Sequence, residues 1–188
     1  KFQRMIEELK KAEHYIFLEY FIIEEGVMWN TVLEILEEKV KQGVEVRLIY
    51  DDMGCMMTLP RQYDKTLREK GINACVFNPF IPVLSSRFNN RDHNNRDPRK
   101  IAVIDGKVAF TGGINLADEY INAYEKHGHW KDTAVLLEGD AVWNLTVMFL
   151  SVWDFIHGTA EDYEQYRPSV YQKEKIQCTG YIQPYMDN

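Results

Sequence analysis

The sequence predicts a single α/β domain in which helices flank a mixed, mostly parallel sheet. Apolar residues recur at helical spacing from Phe2 to Ala12, and an apolar, β-branched run typical of a buried strand follows from Tyr15 to Ile23. This order of helix and strand then repeats twice along the chain. With 188 residues, 45% of them hydrophobic, the chain can bury one good core. We therefore expect residues 1–188 to form one domain.

The first repeat is a βαβ unit. A helical stripe begins after Gly26 and ends at Gly43, and residues 44–50 alternate like a strand. Such connections are right-handed and make their two strands parallel. Glu19 is a carboxylate within the first, otherwise apolar strand, so we expect it either to support a site or to lie at a sheet edge. Residues 51–52, two aspartates that end the second strand, are typical of helix capping or of a ligand site.

The pattern continues through the rest of the chain, with a hairpin predicted around the turn Asp-Gly-Lys. Residues 159–176 are polar and predict a covering arm or a linker. The remaining predicted elements are helices at 59–70, 116–123 and 141–157, and strands at 72–77, 101–104, 108–110, 132–137 and 177–183.

Composition excludes several function classes. The net charge of -7 and the pI near 5.3 argue against a broad nucleic-acid surface, because that surface needs clustered Lys and Arg. Cys55, Cys75 and Cys178 lack the spacing of a disulfide framework or a zinc site, so a reducing cytosol is favoured. No run reaches the roughly 18 apolar residues of a membrane-spanning helix, so we expect a soluble domain.

Polar residues surround the predicted hairpin. Lys100 precedes its first strand, where an ammonium group can hold a phosphate oxygen. Asp105 closes that strand in the turn, and plain turn chemistry is the alternative to a role in catalysis. Gly113 belongs to a Gly-Gly pair that permits close backbone approach, and Asn115 supplies an amide donor.

The stretch PRKIAVIDGKVAFTGGIN resembles the signature of the phospholipase D superfamily, which is HxKxxxxD followed after six residues by GGxN or GSxN. The segments LEYFII, GVEVRLIYDDMG, FTGGINLADEYIN and HWKDTAV narrow the resemblance to bacterial cardiolipin synthases. The resemblance covers essentially the whole chain.

This resemblance implies an enzyme in which two such halves each give one His, one Lys and one Asn to a shared phosphate pocket, with no metal and no cofactor. One His attacks phosphorus and carries a phosphatidyl group, and the other protonates the leaving alcohol. Transfer between two phosphatidylglycerol molecules gives cardiolipin and glycerol. The catalytic residues that it implies are His93, Lys100, Asp105, Asn115 and, as a carboxylate partner for His, Asp132, and the phosphate-binding residues are Lys100, Gly113 and Asn115.

The resemblance also implies a longer parent at the cytoplasmic face of the bacterial cell membrane. Such parents carry membrane-spanning segments before this domain and a second half after it. We therefore expect the partners to be phosphatidylglycerol, the membrane surface, and the missing C-terminal half or a second copy of the chain.

The sequence departs from the signature at its first position, where Pro98 stands in place of His. Residues 89–93 read NNRDH and residues 94–98 read NNRDP, so five residues occur twice in tandem. Either the repeat loops out and His93 returns to the pocket, or the half-site has lost its nucleophile, and we expect an impaired half that is inactive in isolation. The alternatives are a non-catalytic phosphate-binding or interface domain and a homodimeric phosphodiesterase or nuclease.

Overall fold

The structure is a computed structural model that describes residues 1–79, 99–126, 128–168 and 182–185. Two short 3₁₀ helices, Asp118–Ile121 and Tyr163–Tyr166, accompany the regular elements. In chain order those elements are α1 (Phe2–Lys11), β1 (Tyr15–Tyr20), α2 (Val27–Lys41), β2 (Glu45–Asp51), α3 (Asp52–Cys55), α4 (Tyr63–Glu69), β3 (Asn73–Phe77), β4 (Ile101–Ile104), β5 (Val108–Gly112), β6 (Ala134–Glu138) and α5 (Ala141–His157).

The described strands form one six-stranded sheet in the order β3-β2-β1-β4-β5-β6. The pairs β3–β2 and β2–β1 are parallel, and the pairs β1–β4, β4–β5 and β5–β6 are antiparallel. Strands β1, β2, β3 and β5 consequently point the same way. The predicted mixed sheet, its βαβ unit and its hairpin are confirmed.

Strand β1 lies at the centre of the sheet, which explains why all six of its residues are buried. Alternate side chains face two cores. Ile16 and Leu18 pack with α1 and α2, whereas Tyr15 and Phe17 pack with α5. Because β1 pairs with β2 on one side and β4 on the other, it is not an outer strand, and the expectation that Glu19 could lie at a sheet edge was wrong.

Two predicted helices are shorter than the sequence pattern indicated. The helix expected at 59–70 is α4, Tyr63–Glu69, and the one expected at 116–123 is a single 3₁₀ turn. Asp51 caps α3, because its carboxylate accepts a hydrogen bond of 2.8 Å from the backbone N–H of Gly54. Asp51 thus has the capping role that its position predicted.

The segment after α5 folds back onto the sheet. Arg47 of β2 donates to both carboxylate oxygens of Glu161, at 2.7 and 3.0 Å, and to the hydroxyl of Tyr166 at 2.6 Å. Burial alone would lower the pKa of Arg47, but its hydrogen bond to Glu161 and the charge of Glu45 hold that pKa above its ordinary value. Residues 159–168 therefore cover the α5 face of the sheet.

The strand expected at 177–183 lies mostly outside the described residues. Only its residues 182 and 183 are described, and they do not form a strand. In the described ranges, no helix combines the length and the apolar character needed to span a bilayer.

Candidate active site

Four strand ends meet at one edge of the sheet, the edge that is formed by strand termini and not by an outer strand. Lys100 directly precedes β4, and Ile101 pairs with Glu19 near the end of β1 and with Thr111 near the end of β5. Gly112 of β5 in turn pairs with Ala134, the first residue of β6. Because β4 is antiparallel to both of its neighbours, its start lies where they end. Lys100, the Gly-Gly pair and the residues before β6 are therefore neighbours.

A cavity of about 520 Å³ opens at this edge. Its polar wall includes Lys100, Thr111 and Asp132, and its apolar wall includes Phe110 and Ile114. Cavities of this size, with an apolar lining and a few convergent polar groups, are typical of small-molecule sites. The structure thus brings Lys100 and Asp132 to one cavity, as their proposed roles require.

The Lys100 ammonium group lies 5.9 Å from the centre of the Phe21 ring. This distance is within the range in which the negative face of an aromatic ring attracts a cation. Phe21 follows β1 directly, so the aromatic ring holds the ammonium group near the sheet edge.

Asp132 lies against the Gly-Gly pair. A Cβ atom on Gly113 would be only 2.3 Å from Oδ1 of Asp132, so only glycine leaves room for this carboxylate. Oδ1 accepts from the backbone N–H of Thr133 at 2.6 Å, and Oδ2 accepts from the indole N–H of Trp130 at 3.3 Å. These contacts hold the carboxylate at the cavity wall. The backbone N–H of Thr133 is thereby bonded to a side chain, and β6 begins at Ala134 instead of residue 132.

The Asn115 amide is oriented by a long-range contact. Its Oδ1 accepts a hydrogen bond of 3.0 Å from the backbone N–H of Ile22, so its nitrogen must point the other way, and that nitrogen donates to the Tyr120 hydroxyl at 2.8 Å. Burial raises the pKa of Tyr120, opposed by the hydrogen bond from Asn115, so the phenol stays neutral. Tyr120 lines the cavity and packs edge-on against Trp130 with ring centres 4.9 Å apart.

The structure does not bring Asp105 to the cavity. Its carboxylate accepts hydrogen bonds of 2.8–2.9 Å from the backbone N–H groups of Glu13, His14 and Tyr15, and its φ of 52° belongs to the hairpin turn. Asp105 is five positions after Lys100 along an extended strand, a span of about 16 Å. These contacts give Asp105 a structural role, and a direct part in catalysis stays a prediction without geometric support.

His93 and Pro98 lie outside the described residues, so both interpretations of the tandem repeat stay predictions. In the ranges that the structure does describe, no group of three or more His, Cys, Asp or Glu side chains could hold a metal ion. Sequence reasoning missed Arg99, whose Nε lies 3.5 Å from Oε1 of Glu19. It also missed Tyr120 and Phe21, although both occur in the segments that carry the family resemblance.

A family model described as "Cardiolipin synthase, PLD-like domain" matches residues 5–142. The chain belongs to this family. Two curated relatives are similar to this chain over most or all of its length. A cardiolipin synthase of Geobacillus kaustophilus is 40% identical over 84% of the chain, and an uncharacterized protein of Streptococcus mutans serotype c is 53% identical over all of it. The chain spans only 30% and 39% of the length of these two relatives.

Solved structures show the same fold. Nuc from Salmonella typhimurium, a phospholipase D family member, superposes with a TM-score of 0.53 over 86% of this cardiolipin synthase-family chain and 89% of its own, at 15% identity. NucT from Helicobacter pylori gives a TM-score of 0.51 at 16% identity. At such low identity the likeness extends to the fold alone.

Proposed function

We propose that this chain is the N-terminal phospholipase D-type half of a cardiolipin synthase, which transfers a phosphatidyl group between two phosphatidylglycerol molecules. The observation that carries the proposal is the convergence of Lys100 and Asp132 on one cavity at the sheet edge. The match of a cardiolipin synthase family model to residues 5–142 supports the lipid substrate. The 30% of the Geobacillus relative that the chain spans supports a half-enzyme role.

In this proposal, the cavity binds the phosphodiester of the lipid headgroup. The Lys100 ammonium group neutralises a phosphoryl oxygen. Asn115 is the proposed second donor, and its amide already donates to the Tyr120 hydroxyl, which lines the cavity. Gly113 leaves room for the Asp132 carboxylate beside the bound phosphate. Such donors stabilise charge in the transition state because they are oriented before the reaction begins.

The proposed transfer has two displacements at phosphorus. A histidine nitrogen first attacks phosphorus, and a P–N bond forms. The bond from phosphorus to the oxygen of the headgroup glycerol breaks, and a second histidine donates a proton to that oxygen. The hydroxyl of another phosphatidylglycerol then attacks, the P–N bond breaks, and the second histidine takes the hydroxyl proton. Asp132 fits the role of the carboxylate that orients one imidazole.

Substitution of Lys100 tests the site. In the full-length protein, Lys100→Ala should lower cardiolipin formation from phosphatidylglycerol by at least about 100-fold, the usual cost of losing one oxyanion donor. The matched control is Lys107→Ala, because Lys107 lies in the turn at the far end of the hairpin. Equal activity of the two variants would remove Lys100 from the site.

The tandem repeat calls for a separate experiment. Deletion of residues 94–98 restores the spacing HxK before the hairpin, and we expect more covalent phosphatidyl-enzyme by intact mass after rapid quenching. His93→Ala in the deleted protein is the control, because it separates an adduct on this half from one on the other half. If the deletion gives no additional adduct that depends on His93, the displaced-motif account is wrong.

A non-catalytic phosphate-binding or interface half is the second candidate, and Pro98 is the observation that favours it. A proline can neither attack phosphorus nor donate a proton. In that case Lys100→Ala would weaken phosphate binding to this chain, whereas the deletion of residues 94–98 would leave activity unchanged. A homodimeric nuclease is disfavoured by the net charge of -7.

A further inference from the structure

A buried ion pair lies directly behind Lys100. Glu19 is only 4% exposed in the central strand, and its Oε1 is 3.5 Å from Nε of Arg99. Burial of a carboxylate is costly unless a partner compensates the charge. The guanidinium group of Arg99 provides such compensation from the residue that immediately precedes Lys100.

The two residues that precede β4 point to opposite faces of the sheet. Successive side chains of an extended chain point to opposite faces, so Arg99 and Lys100 diverge at the start of β4. Glu19 pairs in register with Ile101 and shares its face of the sheet, which is the α5 face. Arg99 contacts Glu19, while Lys100 lines the cavity beside Phe110, which packs with the α1 and α2 core.

We propose that Glu19 is a positioning residue for Lys100 and acts through Arg99. The ion pair holds the backbone at residues 99–100 against β1 and thereby keeps the Lys100 ammonium group over Phe21 and at the cavity wall. The functional meaning of this position rests on the proposed phosphate site. The position of the Lys100 ammonium group does not depend on that proposal, because it follows from contacts within the fold.

A second ion pair provides a matched control. Arg47 and Glu161 are 2.7 Å apart, also on the α5 face, but they join β2 to the segment after α5. Glu161→Gln therefore removes a buried charge interaction without touching β4. A role in stability alone predicts the same behaviour for Glu161→Gln and Glu19→Gln. A positioning role predicts that only Glu19→Gln changes Lys100.

The experiment reads Lys100 directly by NMR of the chain labelled with [¹³C]lysine, with the Lys100 signal assigned by Lys100→Arg. The Phe21 ring should shift the Lys100 Hε signal upfield from that of exposed lysines. Glu19→Gln should abolish most of that shift and weaken binding of inorganic phosphate by about tenfold, the lower end of the loss seen when the partner of a metal ligand is removed. Glu161→Gln should lower the stability and leave both the shift and the binding unchanged.

Arg99→Gln is the second variant. It removes the ion pair but keeps the buried Glu19 charge, so it should cost more stability than Glu19→Gln, and the double variant avoids that cost. Arg99→Gln should reproduce the effect of Glu19→Gln on Lys100, and the double variant should be no worse than either single variant. A Lys100 signal that is unchanged in a folded Glu19→Gln or Arg99→Gln protein would overturn the inference. If the unsubstituted chain binds no phosphate, the proposed function fails, while the Lys100 shift still decides whether Glu19 positions this side chain.

Discussion

Substitution of Gly113 by alanine should displace Asp132 and leave the fold intact. A Cβ atom at this position would lie 2.3 Å from Oδ1, 2.7 Å from Oδ2 and 2.8 Å from Cγ of Asp132. Ordinary contact begins near 3.4 Å, so Oδ1 must move by at least 1.1 Å (3.4 minus 2.3). Gly113 does not have a positive φ, so the added Cβ brings no backbone strain.

The cost to stability should be limited because only local contacts of Asp132 are at risk. These are the hydrogen bonds from Thr133 and Trp130, which together contribute about 3 kcal/mol because their acceptor is a carboxylate. The cost to activity should be large, because a displacement of about 1 Å at a reacting site can reduce the rate about 100-fold. Urea unfolding measures the first quantity and cardiolipin formation by the full-length protein measures the second.

A double-mutant cycle shows whether the effect passes through Asp132. Asp132→Ala removes the group that the new methyl would displace, so Gly113→Ala should cost little more in that background. Full activity of Gly113→Ala, with the carboxylate displaced in its crystal structure, would refute the role of Asp132. Independent losses in the double variant would instead show that Gly113 acts by another route.

Three further predictions concern the rest of the fold. Asp105→Ala should lower the free energy of unfolding in urea by about 3 kcal/mol or more, because three backbone N–H groups lose their acceptor; a loss under about 1 kcal/mol would contradict this. The hydrogen bond from Arg47 lowers the pKa of Glu161 in the folded chain. The ionised Glu161 carboxylate therefore contributes its full stabilisation above the ordinary pKa of 4.5, and this stabilisation is lost as the pH falls through the lower folded pKa. Urea midpoints below pH 4.5 should consequently fall less steeply in Glu161→Gln than in the unsubstituted chain, and equal slopes would rule this out. Burial raises the pKa of Cys55 and of Cys75 to about 12, so a thiol reagent at pH 8 should label neither until the chain unfolds. Peptide mapping separates these two thiols from Cys178, and rapid labelling of Cys55 or Cys75 in the native chain would show their burial to be wrong.

Local patterns were sufficient to predict most elements. The apolar period from Phe2 onward predicted α1, and the alternation at residues 44–50 predicted β2, each within a few residues of the observed bounds. The hairpin could be predicted because its turn contains Asp105 and Gly106, residue types that accept the positive φ angles of 52° and 64° observed there. The relevant interactions are local in each case.

Contacts between residues that are far apart in the sequence could not be predicted in the same way. Nothing in the pattern around Glu19 shows that β4 pairs beside β1, so its central position and its contact with Arg99 appear only in the folded sheet. The Asn115 amide is likewise oriented by Ile22, 93 residues earlier in the chain. The motif predicted Lys100 and Asn115 as candidates, but the orientation of each side chain depends on partners that the motif does not contain.

The order of the strands makes the connection between β3 and β4 unusually tolerant of added length. It joins the outer strand of the sheet to one three positions away, a separation of about 14 Å, and it has 23 residues (78–100) with which to do so. Lengthening it from 18 to 23 residues changes the entropy of loop closure by only about 0.2 kcal/mol. A five-residue duplication in this connection therefore costs little in loop closure. Whether the duplication matters is a question for an assay of the chemistry.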